Sequence, residues 1–213
     1  MRKRRRRPDE RRSRFVTPAQ LIDHRPPVVC TRTRIGDWEG DLIVGRGNKS
    51  AVATLVDRTS RYLKLVHLPG DHSAATVRDA LIAAFGGLLP DLRLTLTWDQ
   101  GSELAHHSEI AALFRQGVFF AHPGKPWQRG TNENTNGLAR QYLPKRSDLS
   151  IHTPADLAAI EHRLNTRPRK RLDWRTPLEV FPGRDGIIEI DTVATIARIR
   201  YRSIGAPGTQ PGA

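Results

Sequence analysis

Short apolar runs in the first half of the chain predict a β-sheet. Strands are predicted over residues 37–44, 51–56 and 62–68, because each run is rich in apolar and β-branched residues and stops at Gly, Pro, Asp or Ser. The connections between the three runs are short. We therefore expect adjacent antiparallel pairing of these strands.

Helical spacing follows the third strand. Ser73 can cap a helix with Val77, Leu81 and Phe85 on its apolar face, and Gly86 and Gly87 end it. Further strands are predicted over 92–98 and 118–121, and further helices from Ser108, over 131–143 and from Thr153. The resulting order, βββαβαβα, predicts an α/β fold in which a mixed sheet carries helices on both faces. The βαβ step makes the fourth strand parallel to a neighbour.

The charge of the chain favours a polyanionic partner. The 213 residues include 35 Lys and Arg against 22 Asp and Glu, a formal net charge of +13. Such an excess favours nucleic acid first and an anionic membrane second. No apolar run approaches the roughly 18 residues that a membrane span needs, so we expect a cytoplasmic, nucleoid-associated protein with no membrane partner. The single Cys30 excludes an intramolecular disulfide.

The charge is uneven and suggests three regions. Residues 1–14 carry nine Lys or Arg against Asp9 and Glu10, and like charges at this density oppose folding. We therefore predict a disordered basic arm over 1–19, a core over 20–181 and a divergent tail over 182–213. In the arm, phosphate contacts are predicted for Arg4, Arg5, Arg6 and Arg7.

Three acidic residues stand out in this basic chain. Asp41 lies inside the first predicted strand, Asp99 directly follows the fourth, and Glu133 lies in the first turn of a predicted helix. If the first and fourth strands are neighbours, Asp41 and Asp99 converge and the helix can bring Glu133 over them. Asp37 and Glu39 share a face of the strand with Asp41 and compete with it for this role.

Carboxylates that converge in this way favour a hard divalent cation. Three of them at close range repel one another unless they are protonated or neutralised. Mg²⁺ and Mn²⁺ prefer oxygen ligands, and two such ions can clamp the attacking and leaving oxygens of a phosphoryl displacement. In a basic chain, this pattern predicts an enzyme that cuts phosphodiesters. From spacing alone, helix capping by Glu133 and a turn at Asp99 remain open.

Three motifs resemble the DDE transposases of the bacterial insertion-sequence thirty family. They are GDWEGDLIVGRG at 36–47, LTWDQGSE at 96–103 and PWQRGTNENTNGLARQYLPKRSDL at 126–149, and 164–181 resembles the end of the family's core. The resemblance implies an RNase H-like, retroviral-integrase-like core and a metal-binding catalytic triad. On this sequence the triad falls on Asp41, Asp99 and Glu133.

The resemblance also implies a reaction and its partners. The family cleaves transposon ends and joins the free 3′-hydroxyl to target DNA. The implied cofactor is Mg²⁺ or Mn²⁺, and two ions are expected. The family works as a homo-oligomer on paired ends. Family members usually carry helix-turn-helix segments before the core, so a truncated, split or decayed copy is expected. Two alternatives stay open, a non-transposing nuclease of the same fold and a non-catalytic DNA-binding remnant that regulates a full-length transposase.

Basic, aromatic and amide side chains flank Glu133. Residues of these types can hold phosphates and stack on unpaired bases. We predict DNA contacts for Lys125, Trp127, Arg129, Asn134, Asn136, Arg140, Lys145 and Arg146.

Overall fold

The computed structural model describes residues 16–68 and 70–182, which form a five-stranded mixed sheet. Its strands are β1 (Asp37–Val44), β2 (Ala51–Asp57), β3 (Leu63–His67), β4 (Thr95–Trp98) and β5 (Val118–Phe120). The order across the sheet is β3-β2-β1-β4-β5. β1, β2 and β3 pair antiparallel, whereas β1 with β4 and β4 with β5 pair parallel. The predicted mixed α/β topology is confirmed.

The four predicted helices appear in the predicted order. The described residues form α1 (Val28–Thr31), α2 (Ala74–Gly86), α3 (His107–Ala111), α4 (Gly130–Ala139), α5 (Pro154–Asn165) and α6 (Pro177–Val180), of which the short α1 and α6 were not predicted. Ser73 caps α2 by accepting a hydrogen bond from Thr76 N, and Thr153 forms a capping box with Asp156 at the start of α5. No helix in the described ranges is long and apolar enough to cross a membrane.

The sheet separates two apolar cores. On one face, Trp38, Leu55 and Trp98 pack with residues of α2 and α3. On the other, Ile43 and Val56 pack with residues of α4 and α5. Both faces are covered because β1 and β2 present apolar side chains to each of them, Trp38 and Leu55 on one face and Ile43 and Val56 on the other. The odd-numbered residues of β1, which include its three acids, lie on the face that α4 and α5 cover.

The parallel register of β1 and β4 places the candidate acids side by side. Glu39 is opposite Thr97 in this pairing. Asp41 and Asp99 each lie two residues further along their own strand direction. The prediction that the first and fourth strands are neighbours is therefore confirmed. The convergence of Asp41 and Asp99 depended on this pairing.

Some predicted boundaries shift. β4 begins at Thr95 rather than at residue 92, because Pro90–Leu92 forms a 3-10 turn. α4 ends at Ala139 rather than at residue 143. Disorder was also predicted up to residue 19, and this was wrong for residues 16–19. Val16 packs against a core and Thr17 caps the turn Pro18–Gln20.

Two predicted regions lie outside the described residues. They are the basic arm with Arg4, Arg5, Arg6 and Arg7 and the tail after residue 182.

Candidate active site

Asp41 lines a cavity at the edge of the sheet. Its Oδ1 accepts a hydrogen bond from Leu42 N at 2.9 Å and its Oδ2 accepts one from Asn136 Nδ2 at 3.1 Å. Burial raises the pKa of Asp41, Arg129 opposes that rise, and the charge of Asp99 adds to it. The carboxylate of Asp99 is therefore close enough to act on that of Asp41.

Asp99 follows β4 directly. Its Oδ1 accepts a hydrogen bond from Gly101 N at 3.2 Å, which fixes the turn that leaves the strand. Its side chain is 42% exposed. The carboxylate is therefore oriented by the backbone and open to a ligand.

Arg129 bridges the two carboxylates. One guanidinium nitrogen lies 3.3 Å from Asp41 Oδ1 and the other 3.2 Å from Asp99 Oδ2. The first nitrogen also donates to Gly40 O at 3.1 Å. A cation thus already occupies the space between the two acids, as their shared negative charge requires.

Glu133 enters from α4. It lies in the first turn of the helix and is exposed. Together with Asp41, Pro126 and Arg129 it lines a cavity of about 190 Å³. The structure therefore brings all three predicted acids around Arg129, with Asp41 and Asp99 bound to its guanidinium and Glu133 on the wall of the same cavity.

The other two acids of β1 are engaged in the fold. Asp37 accepts from Arg34 Nε at 2.8 Å and from the Thr95 hydroxyl at 2.8 Å. Glu39 is fully buried and pairs with Arg58. It also accepts a hydrogen bond from Asn132 N in α4 at 2.9 Å. Asp37 and Glu39 thus have partners within the fold, which favours Asp41 for the predicted role at the site.

Glu103 is a fourth acid at this edge that the sequence reasoning missed. Its Oε1 accepts a hydrogen bond from Trp98 Nε1 at 3.0 Å. Burial raises its pKa, and contact with Asp99 raises it further. The only signal in the sequence was an acid four residues after Asp99, which is also the spacing of an ordinary turn.

The predicted DNA contacts divide by exposure. Trp127 is 68% exposed, in a 3-10 turn before α4. Arg140 is half-buried and donates to Val44 O at 3.3 Å, which connects α4 to the end of β1. Asn136 holds Asp41, as described above. Also exposed are Lys125, Asn134, Lys145 and Arg146. Their contacts with DNA remain predictions.

The chemistry of the donors fits a divalent cation. Among the described residues, no group of three His, Cys, Asp or Glu side chains is arranged so that it could hold a metal ion. However, Asp41 and Asp99 already bracket the positive charge of Arg129, and Glu133 lines the cavity into which that charge projects. Carboxylate oxygens are the ligands that Mg²⁺ and Mn²⁺ prefer. A metal ion could replace the guanidinium if Arg129 moved away.

The sequence of the chain is similar to those of known transposases and of an integrase core family. Residues 33–126 match the family described as "Integrase core domain". The chain is 51% identical over 160 residues to the transposase for insertion sequence element IS1086 of Cupriavidus metallidurans, covering 75% of this chain and 47% of that protein. It is 48% identical over 160 residues to transposase InsI for insertion sequence element IS30A of Escherichia coli, covering 75% and 41%. The chain thus spans less than half the length of each of these relatives.

A solved structure agrees in fold. The catalytic core domain of BIV integrase superposes with a TM-score of 0.50 at 19% sequence identity, covering 68% of this chain and 93% of that domain. At this identity the likeness concerns the fold alone. The mixed sheet therefore has the RNase H-like fold that the sequence motifs implied.

Proposed function

We propose that the chain, whose sequence is similar to transposases of the IS30 family, is a DDE transposase catalytic core that cleaves phosphodiesters at transposon ends in a metal-dependent reaction. We further propose that it transfers the free 3′-hydroxyl to target DNA. Mg²⁺ or Mn²⁺ is the proposed cofactor, as a pair of ions, and several copies of the chain are proposed to act together on paired ends.

One observation carries the proposal. Asp41 and Asp99 stand at adjacent parallel strands and bracket a single positive charge, while Glu133 lines the cavity beside them. In α/β sheets, sites form beyond the carboxyl ends of parallel strands. An arrangement that served only the fold would bury these acids in complete pairs, as it does Glu39.

Each residue has a proposed role at this edge of the sheet. Asp41, Asp99 and Glu133 would hold the cofactor. The chemistry that such ions supply is activation of a water or hydroxyl for in-line attack at phosphorus and stabilisation of the leaving oxygen. Asn136 and the turn at Gly101 orient Asp41 and Asp99, respectively.

Arg129 is proposed to change partners during the reaction. Its side chain is only 14% exposed and its charge is engaged by Asp41 and Asp99. A divalent ion between these acids would displace the guanidinium. The displaced Arg129 remains at the rim of the cavity, where a DNA phosphate is the natural partner for its charge. The predicted DNA contact of Arg129 would thus follow from binding of the cofactor.

A plasmid assay tests the proposal. A supercoiled plasmid that carries the element ends is incubated with the protein in Mg²⁺, Mn²⁺ or EDTA, and nicking and strand joining are measured separately. D41N, D99N and E133Q should each abolish nicking. D79N is the matched control, because Asp79 is exposed on α2, across the sheet. Nicking retained in the three site variants would refute the assignment.

The same assay separates the alternative activities. Metal-dependent cleavage without strand joining would identify a nuclease of the same fold. Salt-sensitive binding of DNA without any cleavage in Mg²⁺ or Mn²⁺ would identify a non-catalytic binding protein.

A further inference from the structure

A second cavity, which we call the basic cavity, lies beside α4 and has a volume of about 500 Å³. Its walls come from the start of α4, from the turn between β2 and β3 and from the segment after α5. It shares no lining residue with the cavity beside Asp41 and Glu133, which we call the acidic cavity. Its cationic lining residues are Arg32, Arg61, Arg169, Lys170 and Arg171.

These five cations have no acidic counterpart in the part of the chain that the structure describes. None of the residues that line the basic cavity is Asp or Glu. None of the five forms an ion pair with a described carboxylate. The nearby acid Glu39 pairs with Arg58 instead. Burial and the charge of Arg32 lower the pKa of Arg61 to about 10. The fold therefore holds like charges together at an electrostatic cost that a bound anion would relieve.

Two buried polar atoms in the wall lack partners. The Thr131 side chain lines the basic cavity, the residue is only 2% exposed, and its Oγ1 makes no hydrogen bond in the structure. Nε of Arg169, another lining residue, is likewise buried without a partner. Buried polar groups are normally satisfied, so a hydroxyl and a guanidinium nitrogen left free in one cavity indicate a ligand that accepts hydrogen bonds.

We propose that the basic cavity binds the phosphate backbone of a nucleic-acid strand. Phosphate oxygens are acceptors that suit arginine, lysine and hydroxyl donors. A single phosphodiester would neutralise only part of five positive charges, so a strand with successive phosphates fits better than an isolated anion.

An exposed indole close in sequence to the lining residues favours nucleic acid over a free phosphate. Trp174 is 69% exposed, and its backbone N donates to the carbonyl of the lining residue Arg169 at 3.0 Å. An exposed aromatic ring near cationic groups can stack on an unpaired base. A free phosphate would leave this ring without a role.

This site is independent of the proposed cleavage, because its residues are separate and its ligand needs no metal. Binding of fluorescent duplex and single-stranded DNA is therefore measured in EDTA over a range of salt concentrations. The test variant is K170Q/R171Q, whose two side chains are exposed. The charge-matched control is K49Q/R163Q, two exposed cations outside the cavity.

The expected result is a selective change in the salt dependence of binding. Each lost phosphate contact on duplex DNA lowers the slope of log K against log salt by about 0.9, so K170Q/R171Q should lower it by up to about 2. K49Q/R163Q should leave the slope unchanged. W174A should weaken binding of single-stranded DNA more than binding of duplex.

Thr131 offers a test that does not change the charge. T131V keeps the shape of the side chain and removes a hydroxyl that has no protein partner, so the fold should be unaffected. Loss of a hydrogen bond to a charged phosphate should weaken DNA binding about tenfold. T131S, which retains the hydroxyl, should bind like the wild type.

Several results would overturn the proposal. They are an unchanged slope in K170Q/R171Q, an equal decrease in the control pair, or equal affinities of T131V and T131S. Binding of vesicles that contain phosphatidylserine is measured separately. If Lys170 and Arg171 were needed for binding to vesicles but not to DNA, the ligand would be a membrane instead. Loss of plasmid nicking with retained binding in EDTA would count against the proposed cleavage at Asp41, Asp99 and Glu133 and not against the basic cavity.

Discussion

Two acids on one face of β1, two residues apart, should respond in opposite ways to the same chemical change. Glu39 and Asp41 each become an amide of nearly equal volume in E39Q and D41N. We expect E39Q to destabilise the fold strongly and D41N to leave stability nearly unchanged while abolishing DNA nicking. The contrast separates an acid that holds the fold from an acid that serves the proposed chemistry.

The magnitudes follow from burial and pairing. Glu39 is 0% exposed and pairs with Arg58, whose side chain is 6% exposed. Removing one partner of a buried ion pair leaves the other charge uncompensated and typically costs about 3–5 kcal/mol. This is a large share of the roughly 5–15 kcal/mol by which a domain is stable.

The expected effect of D41N is small for two reasons. The Asp41 side chain is 30% exposed, so its pairing with Arg129 is partly screened. Burial and the neighbouring Asp99 both oppose its ionisation, as the raised pKa shows. The loss of its charge should therefore change the free energy of unfolding by no more than about 1 kcal/mol.

Urea denaturation followed by circular dichroism measures both variants. E39Q should unfold at a much lower urea concentration than the wild type, and D41N close to it. The variant E39M/R58M removes both buried charges and should recover most of the stability lost in E39Q. Equal stabilities of E39Q and D41N, or a double variant no more stable than E39Q, would refute this account of β1.

Three further predictions concern packing, the cation between the acids and pH. G40A should destabilise the fold by at least about 1–3 kcal/mol in urea, because a Cβ at Gly40 would lie 1.9 Å from Cζ3 of Trp98. R129Q removes the guanidinium that competes for Asp41, so Mg²⁺ should raise its melting temperature more than that of the wild type. Burial raises the pKa of Glu161 above 4.5, so its neutral form favours folding. Its contribution to stability should be full at low pH and should fall as pH rises above about 4.5, a fall that E161Q should lack.

Each of these predictions has a contradicting outcome. An unchanged urea midpoint in G40A would mean that the indole can move aside without cost. If Mg²⁺ stabilised R129Q no more than the wild type, Arg129 would not compete with a metal. A wild type and an E161Q variant with parallel pH profiles of unfolding would mean that folding does not shift the pKa of Glu161.

The sequence predicted the order of the elements because local signals agreed with one another. The apolar runs of β1 and β2, the cap at Ser73 and the helix start at Thr153 all appear where they were expected. Boundaries were less predictable, since the turn over Pro90–Leu92 shortens an apolar run that is otherwise typical of a strand. Apolar character sets the core, whereas local backbone geometry decides where a strand begins.

The acids were harder to assign than the elements. Period-two alternation correctly placed Asp37, Glu39 and Asp41 on one face, but it could not tell which of them had a partner. The partners come from distant parts of the chain, such as Asn132 in α4 for Glu39. The motif resemblance supplied Asp41, and the structure supplied the physical reason for that choice.

The sequence by itself determined the mixed sheet, its flanking helices, the excess of positive charge and the three acids, because these depend on periodicity, composition and motifs. Only the tertiary structure decided which charges meet. It placed Arg129 between Asp41 and Asp99, enclosed Glu39 with Arg58, and gathered five cations beside Thr131. These encounters depend on strand register and helix packing, and residues far apart along the chain carry no local signal of either.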